Sequence, residues 1–195
     1  MTKTTAETTA VLIPVKAFRN AKLRLAPALD PAARAALART MAALVVRAAG
    51  GLAVAVVCDD DEVAAWATDQ GAQVIWSPGR GLNGAVTDGV ATLAGQGRVT
   101  AIVAHADLPH ALDLTWLADR PGVTLVPDRW GDGTNVIVVP CAAGFGFSYG
   151  SGSFARHRAE AERLGLPVTV ERVPRLAWDV DVPADLMAPD WSPVP

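Results

Sequence analysis

The chain is 195 residues long, 51% hydrophobic and 19% charged, which is enough for one domain with a sizeable core and excludes a disordered chain. Its formal charge of -3 is spread along the sequence and forms neither a basic footprint for nucleic acid nor a polybasic membrane patch. No apolar run approaches membrane-spanning length, and the Thr-rich start has the apolar stretch of neither a signal peptide nor an anchor, so a soluble, cytoplasmic protein is expected.

In chain order, residues 1–9 are expected to be a disordered tail and residues 10–195 a single domain, because no linker, repeat or low-complexity segment interrupts them. The run AVLIPV (Ala10 to Val15) predicts a buried strand. A basic loop with Lys16, Arg19, Lys22 and Arg24 follows. Asp30-Pro31 then predicts an N-cap with Pro at the first helical position, and Leu37, Met41, Leu44 and Val45 recur at helical spacing as far as Gly50-Gly51. Strands are expected at Leu52–Cys58, Gln73–Trp76 and Thr100–Ala106, with a helix at Asp61–Gln70 and another leading from the loop Ser77–Asn83 to Gly95. A short helix at Leu112–Ala118 precedes strands at Val123–Val126 and Val136–Val139. A Gly-rich loop, Gly144–Gly152, leads to a helix from about Phe154 to Leu164, a strand at Val168–Val173 and an extended segment at Ala177–Val182.

Strands alternating with helices predict an α/β fold with a mixed, mostly parallel sheet sandwiched by helices. The gap between Val126 and Val136 is too short for a crossover helix, so one antiparallel element is expected there. Cys58 and Cys141 each adjoin an apolar run without metal or redox spacing, and read as two buried thiols.

Gly79, Gly81 and Gly84 satisfy the dinucleotide fingerprint G-x-G-x-x-G, and Asp107 follows at roughly the 20-residue distance where that fingerprint places an acid. This supports an NAD-dependent oxidoreductase as an alternative. Against it, the motif follows the third predicted strand, not the first, and Asp107 is followed by Leu108-Pro109. The glycines then make either a tight turn or a nucleotide-contacting loop of another kind.

A second constellation is acidic. Asp107 ends the fourth strand, at the rim where open parallel sheets bind ligands. Asp179 and Asp181 stand at i and i+2 of W-D-V-D-V-P, on one side of an extended segment roughly 7 Å apart. Like charges held that close repel unless water or a cation intervenes, and magnesium takes carboxylates together with phosphate oxygens. The chain has three lysines, and two of them, Lys16 and Lys22, lie in the loop after the first strand, where compact charge suits a triphosphate. Gly131, Gly133, Gly150 and Gly152 let backbone N–H groups turn inward, while Thr134 and Ser153 add hydroxyls and Ser153 is placed to start a helix. These features suit a small phosphorylated acid, or else two surface turns and a cap.

The stretches IPVKAFRNAKLRLAP, GLN, ADLP, PDRWGDGTN, GSGSFARH and WDVDVPADL, in this order, resemble the 2-phospho-L-lactate / phosphoenolpyruvate guanylyltransferase family of coenzyme F-420 biosynthesis. The resemblance implies a nucleotide-diphospho-sugar transferase-like (Rossmann-like) fold, GTP as donor, magnesium as cofactor and a phosphorylated three-carbon acid as acceptor. It implies Asp107, Asp179 and Asp181 as metal ligands and, with Lys22, as the catalytic set. It places phosphoenolpyruvate at Thr134, Gly150 and Ser153, and GTP near Lys16, Lys22, Arg24, Gly81 and Asn83. One departure is Ser151, where many relatives have Pro. His105, His110 and His157 are assigned no catalytic role. A related sugar-phosphate or molybdopterin nucleotidyltransferase is the other alternative. The identity of the acceptor, the number of metal ions and the oligomeric state are left open.

Overall fold

A computed structural model describes residues 4–187. Its elements are α1 (Thr5–Thr8), β1 (Thr9–Pro14), α2 (Pro31–Ala48), β2 (Ala53–Cys58), α3 (Asp61–Asp69), β3 (Gln73–Trp76), α4 (Gly81–Gly95), β4 (Thr100–Ala104), β5 (Val123–Pro127), β6 (Thr134–Pro140), α5 (Ser153–Arg163), β7 (Val168–Val170) and α6 (Pro174–Ala177), with four short 3-10 turns between them. The strands form one sheet in the order β3-β2-β1-β4-β6-β5-β7. β1, β2, β3 and β4 run parallel, β6 is antiparallel to both β4 and β5, and β7 is parallel to β5. The expected antiparallel element is therefore β6.

Alternation along the central strands builds two core layers. Val11 and Ile13 of β1 pack with Ala42 and Val45 of α2 and with Val63 and Trp66 of α3. Ala10 and Leu12 face the other way, onto Val86, Val90 and Leu93 of α4. The approach of α4 is close enough that a Cβ at Gly89 would stand 2.6 Å from Leu12 Cδ2, so only glycine fits there. Helix α2 begins as its sequence predicts, with Asp30 accepting from the Ala33 N–H and Pro31 in the first turn. Both cysteines are buried and free.

This topology puts the strand ends that build the site on one rim. β1 and β4 finish there, and β6, running the other way, starts there beside the end of β4. The His105 N–H donates to the Asn135 carbonyl at 3.0 Å across that junction.

Several expectations need correction. Within the expected tail, residues 5–8 form a helical turn with a Thr4–Glu7 capping box, and the buried Thr9 opens β1, because its partners on β4 extend as far as Thr100. The remaining tail residues, 1–3, and the chain end at 188–195 lie outside the described residues. The helix after β3 starts at Gly81, so Gly81 and Asn83 lie in its first turn and not in a loop. The short helix before β5 is a 3-10 turn at Thr115–Asp119. The last strand ends at Val170, since Pro174 starts α6. Residues 178–182 pair with no strand, although Trp178 and Val182 keep extended backbone angles. No helix among the described residues is long and apolar enough to cross a membrane.

Candidate active site

An open cavity of about 890 Å³ lies along the rim. Its walls come from the loop after β1 with Lys16, Lys22 and Arg24, the end of β4 with His105 and Asp107, and the start of β6 with Thr134 and Asn135. The loop before α5 adds Gly150, Ser151 and Ser153, and the segment after α6 adds Asp179 and Asp181. Gly81, at the start of α4, lines the same space.

Lys22 stands at the centre of the acidic side. Its Nζ lies 2.5 Å from Asp107 Oδ2 and 3.0 Å from Asp181 Oδ1, which joins residues 85 and 159 positions away in sequence. Arg24 approaches the other Asp181 oxygen at 3.7 Å. Burial alone would push the Lys22 ammonium down, but Asp107 and Asp181 outweigh it and raise its pKa. Burial likewise works against the Asp107 carboxylate, and Lys22, then His105, hold it below the ordinary value. Lys22 is the one non-glycine residue with positive φ, 53°, among those described. That backbone region disfavours L-residues by roughly 1 kcal/mol or more, and the two ion pairs hold the residue in it.

The acidic segment is fixed from below. The Val180 N–H donates to the Asp107 carbonyl at 3.3 Å, tying residues 179–181 to the end of β4. Asp185 is buried and its Oδ2 accepts from the N–H groups of Asp181 and Val182 at 2.7 and 2.8 Å. Its other oxygen pairs with Arg129, whose guanidinium also donates to the Asp179 carbonyl at 2.9 Å and stacks 4.4 Å from the Trp178 ring. Arg129 is held in turn by the loop 128–133. Asp128 accepts from the N–H groups of Trp130, Asp132 and Gly133, and a Cβ at Gly133 would stand 2.7 Å from that carboxylate.

Asp179 turns away from the Lys22 bridge. Its Oδ1 lies 3.4 Å from Asn135 Nδ2 and 3.7 Å from Arg129. Burial, then the nearby Asp107, raises its pKa, so the pair behaves as like charges in need of a counterion. Asp107 Oδ1 is buried with no hydrogen-bond partner among the described residues. Three carboxylates and an unpartnered acceptor are the donor chemistry of a hard divalent cation, so these residues fit magnesium. Their present spacing does not, since no group of three such side chains among the described residues is set to hold a metal ion. In this structure the Lys22 ammonium takes the position between Asp107 and Asp181, and Asp179 is held aside by Asn135 and Arg129.

The opposite wall is held by hydrogen bonds to backbone groups and between neutral side chains. Thr134 and Ser153 are buried, at the first positions of β6 and α5. The N-cap of α5 is Gly152 at φ 72°, not Ser153, and Gly150 before it has φ 108°. Arg156 draws the loop carbonyls toward itself, donating to Ser148 O at 2.9 Å and Ser151 O at 2.6 Å. The amides of Ser148, Tyr149 and Ser153 have protein acceptors, whereas those of Gly150, Ser151 and Gly152 have none among the described residues. Such amides at a helix start suit an anion.

Lys16, Lys22, Arg24, Gly81, Asp107, Thr134, Gly150, Ser153, Asp179 and Asp181 all line the one cavity. Asn83 does not; its side-chain oxygen accepts from the Tyr149 N–H at 2.7 Å and so braces the glycine loop. Residues passed over in the sequence are Arg129, Asp185, Asn135 and His157. Arg129 and Asn135 lie inside the quoted stretch PDRWGDGTN, but nothing local marks them as partners of a segment 50 residues away. The glycine fingerprint Gly79–Gly84 follows β3, an edge strand, and its supposed acid, Asp107, is bound to Lys22.

The same arrangement of elements occurs in a Desulfovibrio desulfuricans G20 structure assigned as a nucleotide-diphospho-sugar transferase. The TM-score is 0.74 at 15% identity, covering 92% of this chain and 84% of that one. Closer in sequence is a phosphoenolpyruvate guanylyltransferase of Sphaerobacter thermophilus, 36% identical over 92% of this chain and 91% of that protein. A 2-phospho-L-lactate guanylyltransferase of Methanothermobacter thermautotrophicus is 32% identical over 91% of this chain and 82% of its own length. The family model described as "Guanylyl transferase CofC like" matches residues 9–188, almost all of the sequence that builds the sheet and the cavity, and the chain belongs to that guanylyltransferase family.

Proposed function

We propose that this enzyme transfers GMP from GTP to phosphoenolpyruvate or 2-phospho-L-lactate. An oxygen of the acceptor phosphate attacks the α-phosphorus in line. The bond to the bridging oxygen breaks, and pyrophosphate leaves with the electron pair. The product is enolpyruvyl- or lactyl-diphospho-guanosine, for coenzyme F-420 biosynthesis. The relatives' names support both acceptors.

The observation that carries the reading is the shared cavity, with Lys22, Asp107 and Asp181 in direct contact on one side and Thr134, Gly150 and Ser153 on the other. Phosphoryl-type transfer depends on positioning and on neutralising charge, with little covalent work for the protein. Lys16, Lys22 and Arg24 offset the charge of the triphosphate and of the leaving pyrophosphate. Thr134, Ser153 and the amides from Gly150 to Gly152 orient the acceptor. Asp107, Asp179 and Asp181 would hold magnesium, which when bound would supply positive charge against the charge that develops on the phosphates. Gly81 shapes the guanosine side, and Asn83 braces the glycine loop that orients the acceptor.

The test is purified protein with GTP, magnesium and each acceptor, followed by pyrophosphate release and mass spectrometry of the product. Release with either acceptor supports the reading. Release only with CTP and a sugar phosphate, or stabilisation by NAD instead of GTP with magnesium, would replace it.

A further inference from the structure

We propose that His157 is a positioning residue: it locks the Thr134 hydroxyl as a hydrogen-bond donor into the cavity, so that this point of the acceptor subsite favours a ligand oxygen that accepts, such as a carboxylate or phosphate oxygen. The proposal rests on Thr134 contacting the acceptor, as given above.

The geometry fixes the proton positions one after another. The Ser148 N–H donates to His157 Nε2 at 3.0 Å. A backbone N–H has no lone pair, so Nε2 carries no proton, and the neutral ring must carry its proton on Nδ1. Nδ1 lies 3.0 Å from Thr134 Oγ1 and therefore donates to it. The hydroxyl has one proton and has spent a lone pair, and its proton has no acceptor among the described residues. Thr134 is buried and lines the cavity, so the direction left for that O–H is into the cavity, where a ligand oxygen can accept it.

The ring has no freedom to reverse these roles. His157 is itself fully buried, on the inner face of α5, with Tyr149 at 4.8 Å and Phe145 at 5.9 Å between ring centroids. An imidazolium would point Nε2–H at the Ser148 N–H. Burial, then Arg156 and His105, bring the pKa down to about 4, which agrees with the neutral ring the contacts require. A hydroxyl that presents its proton to the cavity is satisfied by a ligand oxygen with a lone pair, and a ligand group without one leaves that proton unpaired, a mismatch that is costly.

Two substitutions separate the two ring nitrogens. His157→Gln places a carbonyl near the Nε2 position, keeping the Ser148 contact and losing the donor to Thr134. His157→Asn places an amide nitrogen near Nδ1, keeping that donor and losing the Ser148 contact. The expected result is that His157→Gln raises KM for the acceptor roughly tenfold or more, with KM for GTP little changed. His157→Asn recovers most of that loss. In a Thr134→Val background, His157→Gln adds nothing further, because it acts through the missing hydroxyl. Equal behaviour of Asn and Gln, or additive effects with Thr134→Val, overturns the proposal. Nitrogen-15 NMR of the wild-type imidazole decides the tautomer even if a variant fails to fold: a proton on Nε2 overturns the proposal, and one on Nδ1 supports it. If wild-type protein releases no pyrophosphate with any acceptor, the functional reading fails instead, and the NMR result still stands by itself.

Discussion

The two walls of the cavity are built on different physical terms. On the acidic side, Lys22, Asp107, Asp181, Arg129 and Asp185 are held by opposite charges, partly or fully withdrawn from water. On the acceptor side, Thr134, His157, Ser148, Tyr149 and Asn83 are held by neutral hydrogen bonds with one polarity each. A charged framework can exchange partners when a cation or a triphosphate arrives, because new charges compensate those that are separated. A neutral framework gains no such compensation, so its hydrogen bonds keep their partners. The first wall is suited to a reaction in which charge moves, the second to recognising a small acid by shape and hydrogen-bond polarity.

The contrast can be broken most severely at Asp107. Asp107→Ala removes the carboxylate that contacts Lys22 and carries the unpartnered buried oxygen, and it is expected to lower pyrophosphate release by about 10³-fold, on the scale of losing a metal ligand. Circular dichroism should show the fold retained, with a lower melting temperature because Lys22 loses one of its two partners; activity retained within tenfold would remove the assignment. Next comes Arg129→Ala, which strands the buried Asp185 carboxylate without its partner. Removing one member of a buried pair costs on the order of 3–5 kcal/mol, so urea denaturation should show a large loss of stability. A loss below about 1 kcal/mol would mean that the pair does not hold the acidic segment.

The acceptor wall offers a pH test. The folded-state pKa of His157 is depressed to about 4 from an ordinary 6.5, so the stability it contributes is present above about 6.5 and is lost as pH falls toward 4. The groups that depress it are burial, then Arg156 and His105. Wild type should therefore lose up to about 3 kcal/mol more than His157→Gln over that interval in pH-dependent denaturation. Parallel slopes for the two proteins would show that the ring is not buried neutral. The smallest effect is expected at Asn83→Ala. It removes a single exposed brace to the Tyr149 N–H, worth about 1 kcal/mol, and should raise both substrate KM values by less than tenfold without abolishing turnover. A KM change confined to GTP would instead place Asn83 against the nucleotide.

Much of this arrangement is legible along the chain because it depends on local periodicity and punctuation. AVLIPV becomes β1, Asp30-Pro31 caps α2, and the short gap after Val126 forces the antiparallel β6. Asp107 after an apolar run, and Lys22 as one of three lysines, stand out by type and position alone. Arg129, Asp185 and His157 do not. Each looks like an ordinary polar residue in a loop or on a helix, and each acquires its role from a partner distant in sequence, 56 positions away for the Arg129–Asp185 pair and 23 for His157 with Thr134.

The sequence by itself determined the order of the main strands and helices and the mixed sheet, since hydrophobic spacing and turn chemistry act over a few residues. Only the tertiary structure decided how those residues are wired: Lys22 between two carboxylates, Asp179 turned toward Asn135, Asn83 bracing a loop, and His157 orienting Thr134. Hydrogen bonds and ion pairs are short-ranged and directional, so their partners exist only once the sheet has brought distant segments within about 3 Å of one another.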